Sequence, residues 1–376
     1  MYWNKLIVKM KTMHRKGIIK ITLIFLLAIP QMVMGQFTET KQFKKRFKVS
    51  PETRIELTNK YGKVEMNTWE KDSVVIIIDF HIEEKSLSKL EKSLDNIDFD
   101  TIYNNNYLIY RTVVDDKMGS LAREFQKLKE TVFQSDGNME INYTVWLPKT
   151  NYLKVENKFG DVFIGDYDGE VEITLSYGNL KAHDFNGNTN INLSFADATI
   201  NEMKTGTLDC EYGELELDKA EQLKITSKST TFEIDEIVNL DTDSRRDKFR
   251  FGQAENIDAS GSFSNFRVDK LIDRATFRVE YGDLKIESIE PDFSSIYIES
   301  KSTDIDLGFD ETSKFKFDIT NTKSETRFSD KMNVTNEEVL DEKEGKKKLT
   351  GNFGTNTENE KLNINAVGGT IEIHNE

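Results

Sequence analysis

The chain has 376 residues, 66 acidic against 51 basic, a formal net charge of −15 and one cysteine. Nucleic acid and anionic membrane faces both select Lys/Arg patches, so this balance argues against either as a partner. A lone thiol excludes intramolecular disulfides, and Cys210, close to Leu208, reads as a core thiol.

The first 35 residues differ from the rest. Lys5, Lys9, Lys11, Arg15, Lys16 and Lys20 precede any acid, the first being Glu39. An apolar run, Ile21 to Ile29, is broken by Thr22 and ended by Pro30, and small Gly35 stands before Gln36. A basic start, a short apolar centre and a small residue at the cut predict a secretory signal peptide over residues 1–35. The run falls short of the ~20 apolar residues that span a bilayer, so no stable membrane span is expected after cleavage. No cysteine follows the run, so lipid attachment of the bacterial lipoprotein kind is not expected either. Loss of six cations takes the mature chain to 45 minus 66, or −21. The expected location is the periplasm or the outer surface.

Residues 36–150 read as an α+β segment. Ile55 to Met66 (IELTNKYGKVEM) is a strand pair of a kind that recurs later. Val74 to Ile82 is a longer buried strand, because five consecutive β-branched residues and a Phe outweigh helix propensity. Leu87, Leu90, Leu94 and Ile97 recur at helical spacing behind the cap residue Ser86. Tyr107 to Val114 and Met139 to Leu147 are strands, and Leu121, Phe125, Leu128 and Val132 between them predict a second helix. Both helices are expected to pack on a sheet or to cover an open end of the repeats, where unpaired strand edges would otherwise lie exposed.

Residues 151–328 say nearly the same thing again and again, eight times between Leu153 and Ile289. Anchor residues before a turn glycine fall at Phe159, Tyr177, Phe195, Tyr212, Ser229, Arg246, Phe263 and Tyr281, spaced 17 or 18 apart. Ser229 and Arg246 are placed by register alone. Four before each anchor stand Val155, Ile173, Ile191, Leu208, Ile225, Thr242, Ala259 and Phe277. Further columns lie three after (Val162 to Leu284), five after (Ile164 to Ile286) and eight after (Tyr167 to Ile289). Alternation is the mark of strands with one buried face. A fixed short period means stacked units, none able to bury its own apolar face. The expected fold is therefore an all-β, single-chain β-solenoid of ~17–18-residue coils stacked about 4.8 Å apart. A barrel of hairpins could share the spacing but does not account for four columns in one register.

Glycine after the anchor permits a positive φ or a tight corner. The aromatic anchors should then stack at a corner. Their parity with the buried positions two and four before predicts that they point inward as packing. A carbohydrate-stacking stripe would need them outward.

After Tyr281 the spacing lengthens to 21, with anchors at Ser302 and Lys323. Residues 329–361 turn charged and polar and read as an exposed loop insertion or ragged hairpin. Residues 362–376 restore the repeat around Gly368 and Gly369, and this terminal coil is expected to close the rod.

The order of IELTNKYGKVEMNTW, an acid-rich helix, YTVWLPKTNYLKVENKFGDVFI, tandem Tyr-Gly units and a final NINAVGGTIEI resembles the DUF4097 family. These are adhesin-like β-solenoid envelope proteins of Bacteroidota, and head-GIN-domain proteins are similar. The resemblance covers the mature chain and implies a structural, binding or sensing role. It implies no catalytic residues. Where the family commonly has an Asn-Gly-Asp turn, this chain has Tyr/Phe-Gly, and two units lack both the aromatic residue and the glycine.

Chemistry is hard to find. His81, His183 and His374 lie far apart in the mature chain, against a zinc site or a Ser-His-Asp triad. Turn acids (Asp161, Asp166, Asp168, Glu170, Asp184, Asp197, Glu214 and Asp283) are spread along the repeats, as on a solvated surface. The GGxGxD repeat of calcium-binding turns is absent. No catalytic, cofactor-binding or metal residue is therefore assigned. The expected function is a non-catalytic exported envelope scaffold presenting solenoid faces to a protein or glycan. The alternative is a polysaccharide-active β-helix enzyme, which needs two carboxylates about 5 to 9.5 Å apart in a groove.

Overall fold

Strand pairing decides between stacked coils and hairpins, and it shows coils. The computed structural model describes residues 36–114, 137–355 and 360–376. The predicted signal peptide and the predicted helix over Leu121 to Val132 lie outside the described residues.

In chain order the N-terminal segment comprises β1 (Phe37–Lys48), β2 (Arg54–Lys60), β3 (Val64–Trp69), β4 (Ser73–Glu84), α1 (Leu87–Asp95), β5 (Ile97–Tyr103), β6 (Tyr107–Val114) and β7 (Gly137–Pro148). The repeats follow as β8 (Leu153–Lys158), β9 (Val162–Ile164), β10 (Val171–Ser176), β11 (Asn179–Ser194), β12 (Asp197–Glu211) and β13 (Glu214–Lys228). They continue through β14 (Thr231–Arg245), β15 (Lys248–Ser262), β16 (Asn265–Glu280) and β17 (Asp283–Ile289). The last third holds β18 (Ser295–Lys301), β19 (Asp304–Phe309), β20 (Phe315–Thr322), β21 (Glu325–Phe328), β22 (Met332–Asp341), β23 (Lys346–Phe353), β24 (Glu360–Val367) and β25 (Thr370–Asn375).

From β8 to β19 each coil lies parallel on the one before. Val155 pairs beside Ile173, then come Ile191, Leu208, Ile225, Thr242, Ala259 and Phe277, in the predicted column order. The column from Val162 to Leu284 and the column from Tyr167 to Ile289 run likewise. These positions are buried. Along β12 and β13 the in–out alternation slips twice, giving two outward residues in succession. The chain bends at those two slips and again at the anchor, which closes each coil around its apolar filling.

That filling is balanced coil by coil. In β15 Phe249 and Phe251 point inward together with Ala254, Ala259 and Gly261, so bulk on one wall meets small residues on the other. A Cβ on Gly261 would lie 2.7 Å from the Phe266 ring. Phe232, Phe249 and Phe266 form an inner stack with centroids 4.7 and 5.0 Å apart, tilted by 3° and 5°. Volume exchange of this kind keeps the interior at crystal-like density.

Both ends are interleaved. The first coil, β2 with β3, lies between β8 and β9 on one side and the later strands β6 and β7 on the other. Outside these, β4 and β1 extend one wall and β5 the other, antiparallel. Phe43 packs on Phe99 and Phe47 on Tyr103 across the two walls. Helix α1 is capped by Ser86, whose hydroxyl accepts from the Lys89 N–H at 3.3 Å; Leu90 is buried while Leu87 stays exposed.

At the other end the expectation that the final coil closes the rod is corrected. Strands β24 and β25 slot between β18–β19 and the earlier β20–β21. The outermost place is already taken. Residues 332–353 form the antiparallel hairpin β22–β23, and β23 covers β20 with Phe353 stacked on Phe315 at 5.0 Å.

Candidate functional site: an aromatic ridge along the corner

Every anchor sits at positive φ. Tyr61, Phe159, Tyr177, Phe195, Tyr212, Ser229, Arg246, Phe263, Tyr281, Ser302 and Lys323 have φ between 49 and 66°. The polar anchors placed by register alone, Ser229 and Arg246, share this geometry. The left-handed conformation belongs to the anchor, not to the residue after it.

The glycines serve another purpose. A Cβ on Gly160 would stand 2.1 Å from the Gly62 carbonyl oxygen, and one on Gly178 would stand 2.2 Å from the Gly160 oxygen. They let backbone pass over backbone. Where the slot holds Ala196, Thr230, Asp247 or Ser264 instead, that side chain is buried inside the corner.

The corner's loose backbone groups are met from within. Asn157 donates to the carbonyls of Gly62, Gly160 and Asp161 at 3.0, 2.9 and 3.2 Å. Asp247, 1% exposed, accepts from the N–H groups of Thr230 and Arg245 and from the Ser227 hydroxyl at 2.7, 2.9 and 2.8 Å. Burial pushes its carboxyl above the ordinary value, against the pull of those three bonds. A carboxyl so enclosed is a corner brace out of reach of any substrate.

The expectation that the anchor rings point inward is corrected. Phe195, Tyr212, Phe263 and Tyr281 are 42, 40, 54 and 42% exposed. Strand parity fails here because a left-handed residue reverses the facing of the chain, so its side chain swings out. The rings form a ladder: Tyr61, Phe159, Tyr177, Phe195 and Tyr212 follow one another at 5.6, 5.1, 5.3 and 4.8 Å, tilted by 3 to 17°. Ser229 and Arg246 interrupt it, and Phe263 on Tyr281 resumes it at 5.1 Å.

Stacking this close decides what the ladder can touch. From Phe159 to Phe195 each ring is stacked on both faces, so an incoming molecule meets ring edges there; Tyr212, Phe263 and Tyr281 each have one neighbouring anchor without a ring, Ser229, Arg246 and Ser302. A sugar that needs an open aromatic face finds none between Phe159 and Phe195.

Charge frames the ridge. On the side before the corner stand Lys60, Lys158, Lys228, Arg245 and Lys301 against Glu211 and Glu280. On the side after it stand Asp161, Asp197, Glu214, Asp283 and Asp304 against Lys63 and Lys248. Ammonium groups lean on the rings, Lys158 at 5.0 Å from Phe159 and Lys228 at 5.3 Å from Tyr212. The Tyr281 hydroxyl holds the Lys301 ammonium above its ordinary range.

The predicted turn acids are not gathered. Asp161 accepts from the N–H and side-chain amide of Asn179 at 2.8 and 2.9 Å, and Asp197 accepts from the Glu214 N–H at 2.8 Å. Asp168 pairs with Lys149 at 2.9 Å, and this bond with that from Asn186 holds its carboxyl below the usual range, the opposite of a proton donor. The three histidines sit apart: His81 by Thr40, His183 by Asp166 and His374 by Asp306. Among the described residues no group of three or more His, Cys, Asp or Glu is placed to hold a metal ion. A shallow groove of about 590 Å³ runs over Ser260 and Ser262, edged by Arg278, Glu280, Glu299 and Lys301. There Glu299 faces Arg278 and Glu280 faces Lys301 across paired strands, a checkerboard of opposite charges.

No family profile matches the chain, and no curated protein matches it in sequence. Several solved structures resemble it, three of them as follows. One is a Clostridium sporogenes protein provisionally described as a cell adhesion protein: 11% identity over 89% of this chain and 100% of that one, TM-score 0.17. Another, from Bacteroides fragilis, is provisionally described as an adhesin: 12% identity, 89% and 97% coverage, TM-score 0.26. The third, from Parabacteroides distasonis, is provisionally described as a lipid-binding protein: 9% identity, 89% and 96% coverage, TM-score 0.27. Overlays this loose assign no residue of this chain a role.

Proposed function

We propose that the mature chain is a non-catalytic, exported scaffold that docks a protein partner along the aromatic ridge. The observation that carries this is the choice of residue at the corners. Glycine or asparagine adopts the left-handed conformation readily, whereas other residues pay about 1–2 kcal/mol each. Bulky rings stand there instead, stacked in two runs between rails of opposite charge, with Tyr61, Phe159 and Tyr177 half-buried and Phe195, Tyr212, Phe263 and Tyr281 exposed. Their mutual stacking returns about 0.5–1.5 kcal/mol per pair, so folding alone gains little from them. Contiguous exposed apolar surface with a polar rim is what an interaction site looks like. Because the rings within the stacks present edges, the fitting partner along them is a protein groove with an apolar floor, in preference to a glycan that stacks.

Export rests on the basic and apolar leader at residues 1–35. Among the described residues no helix is long and apolar enough to cross a membrane. Cell fractionation with surface-protease shaving separates periplasm from outer surface.

The docking test is site-specific photo-cross-linking in producing cells, with the probe at Tyr212, at Phe263 or at Lys219 on another corner. Adducts from the first two sites and not from Lys219, lost from Tyr212 when Tyr177 and Phe195 become glycine, are the expected result. Equal yields at all three sites overturn the reading. So does glycan cleavage by the purified protein that a single Asp→Asn or Glu→Gln change abolishes.

A further inference from the structure

One edge strand at each end of the rod is strongly charged, and the two are opposite in sign; the other N-terminal edge strand, β5, carries Asp98 and Asp100. At the N-terminal end β1 pairs only with β4, leaving its other edge open among the described residues. It carries Lys41, Lys44, Lys45, Arg46 and Lys48 against Glu39, a net +4. At the other end, among the described residues, β22 pairs only with β23. It carries Glu337, Glu338 and Asp341 and no cation, a net −3. Lysines on β23 lie one row further in, where Lys347 binds Glu337 and Lys348 binds Asp318, both at 2.7 Å.

Both rims also expose apolar side chains, Phe37 and Phe43 on β1, and Val334, Val339 and Leu340 on β22. Charged rim residues are a common guard against edge-to-edge aggregation. Here the guard has a direction. Two β1 edges repel each other, two β22 edges repel each other, and a β1 edge attracts a β22 edge.

We propose that the mature protein associates head to tail with further copies of itself, β1 of one copy meeting β22 of the next. The strands are of similar length, 12 and 10 residues, and each offers an unpaired row of N–H and C=O groups for strand addition. The strands belong to different walls of the rod, so each added copy is rotated against the last. A heterologous contact that does not close propagates as an open chain.

The test is sedimentation velocity of the purified mature protein across concentration and salt. The expected result is mass that rises with concentration at low ionic strength and falls to monomer at about 1 M salt, where the Debye length is about 3 Å. Lys44→Glu/Lys45→Glu and Glu337→Lys/Glu338→Lys are each expected to weaken association at least tenfold alone, and their equimolar mixture to restore it. An unchanged unfolding midpoint shows that each variant is folded. A wild-type monomer at every concentration in low salt overturns the proposal, as does a mixture that fails to restore association. The wild-type salt series stands even where a variant does not fold, and cross-linking at the ridge reads a different surface.

Discussion

Replacing Gly160 by alanine puts a methyl group where the preceding coil's backbone already is. The new Cβ would lie 2.1 Å from the Gly62 oxygen, 2.5 Å from its carbonyl carbon and 3.0 Å from its Cα. All three are backbone atoms held by the parallel pairing of β2 with β8 and β3 with β9, so no flexible side chain can yield. The Gly62 and Gly160 carbonyls also accept from Asn157, whose amide is buried and shared among three carbonyls, so moving either one disturbs those bonds. Opening the coils costs about 1–3 kcal/mol as overpacking, and orphaning a buried amide costs about 1–3 kcal/mol, so either alone gives roughly 1–3 kcal/mol. At about 2.1 cal/mol/K per residue, 3 kcal/mol spread over 376 residues lowers Tm by roughly 4 °C. The control is Gly165→Ala. A Cβ there meets nothing within 4 Å, and the change is expected within about 0.5 kcal/mol of wild type. Calorimetry paired with hydrogen exchange of β2 and β8 reads both effects. If Gly160→Ala melts with Gly165→Ala and leaves exchange in these strands unchanged, the account of the corner glycines is wrong.

Other outcomes are equally concrete. Phe249→Ala removes the middle ring of the inner stack and should cost about 3–5 kcal/mol by denaturant unfolding, whereas Phe263→Gly on the ridge should stay within about 1 kcal/mol of wild type. Asp247 has a folded pKa above its unfolded value, so its native form binds the proton more tightly and its contribution to stability falls as pH rises from about 4. Asp247→Asn should remove that slope, so wild type gains on the variant when urea midpoints are compared on acidification. Cys210 is 1% exposed with its thiol pushed up to about 12 by burial, and it should ignore a thiol reagent at mildly alkaline pH until denaturant is added. Truncation after Phe353 should abolish exchange protection in β20 and β21 while leaving β10 to β15 protected.

The columns were legible because burial repeats: Val155 to Phe277 needs only period and parity to be read. The turn-out of Tyr177 and Tyr212 was not, because parity presumes extended backbone and each anchor interrupts it with a left-handed residue. Asp247 left a readable trace, a charge in the slot held elsewhere by Gly160, Gly178 and Ala196, though the trace does not show that the group is enclosed. The slotting of β24 between β18 and β20 left none. Leu362, Ile364 and Ala366 carry the same alternation as Ile296, Ile298 and Ser300, so local pattern fits this strand against any coil and only global pairing chooses its neighbours.

That slotting makes the chain's tail a late-arriving wedge. Until Leu362 to Ile373 emerges, β18 and β20 have no shared neighbour, and neither the hairpin nor the coil beneath it has a finished surface to rest on. A chain folding from its amino end would thus stay pliable from β18 onward until Leu362 to Ile373 is in place.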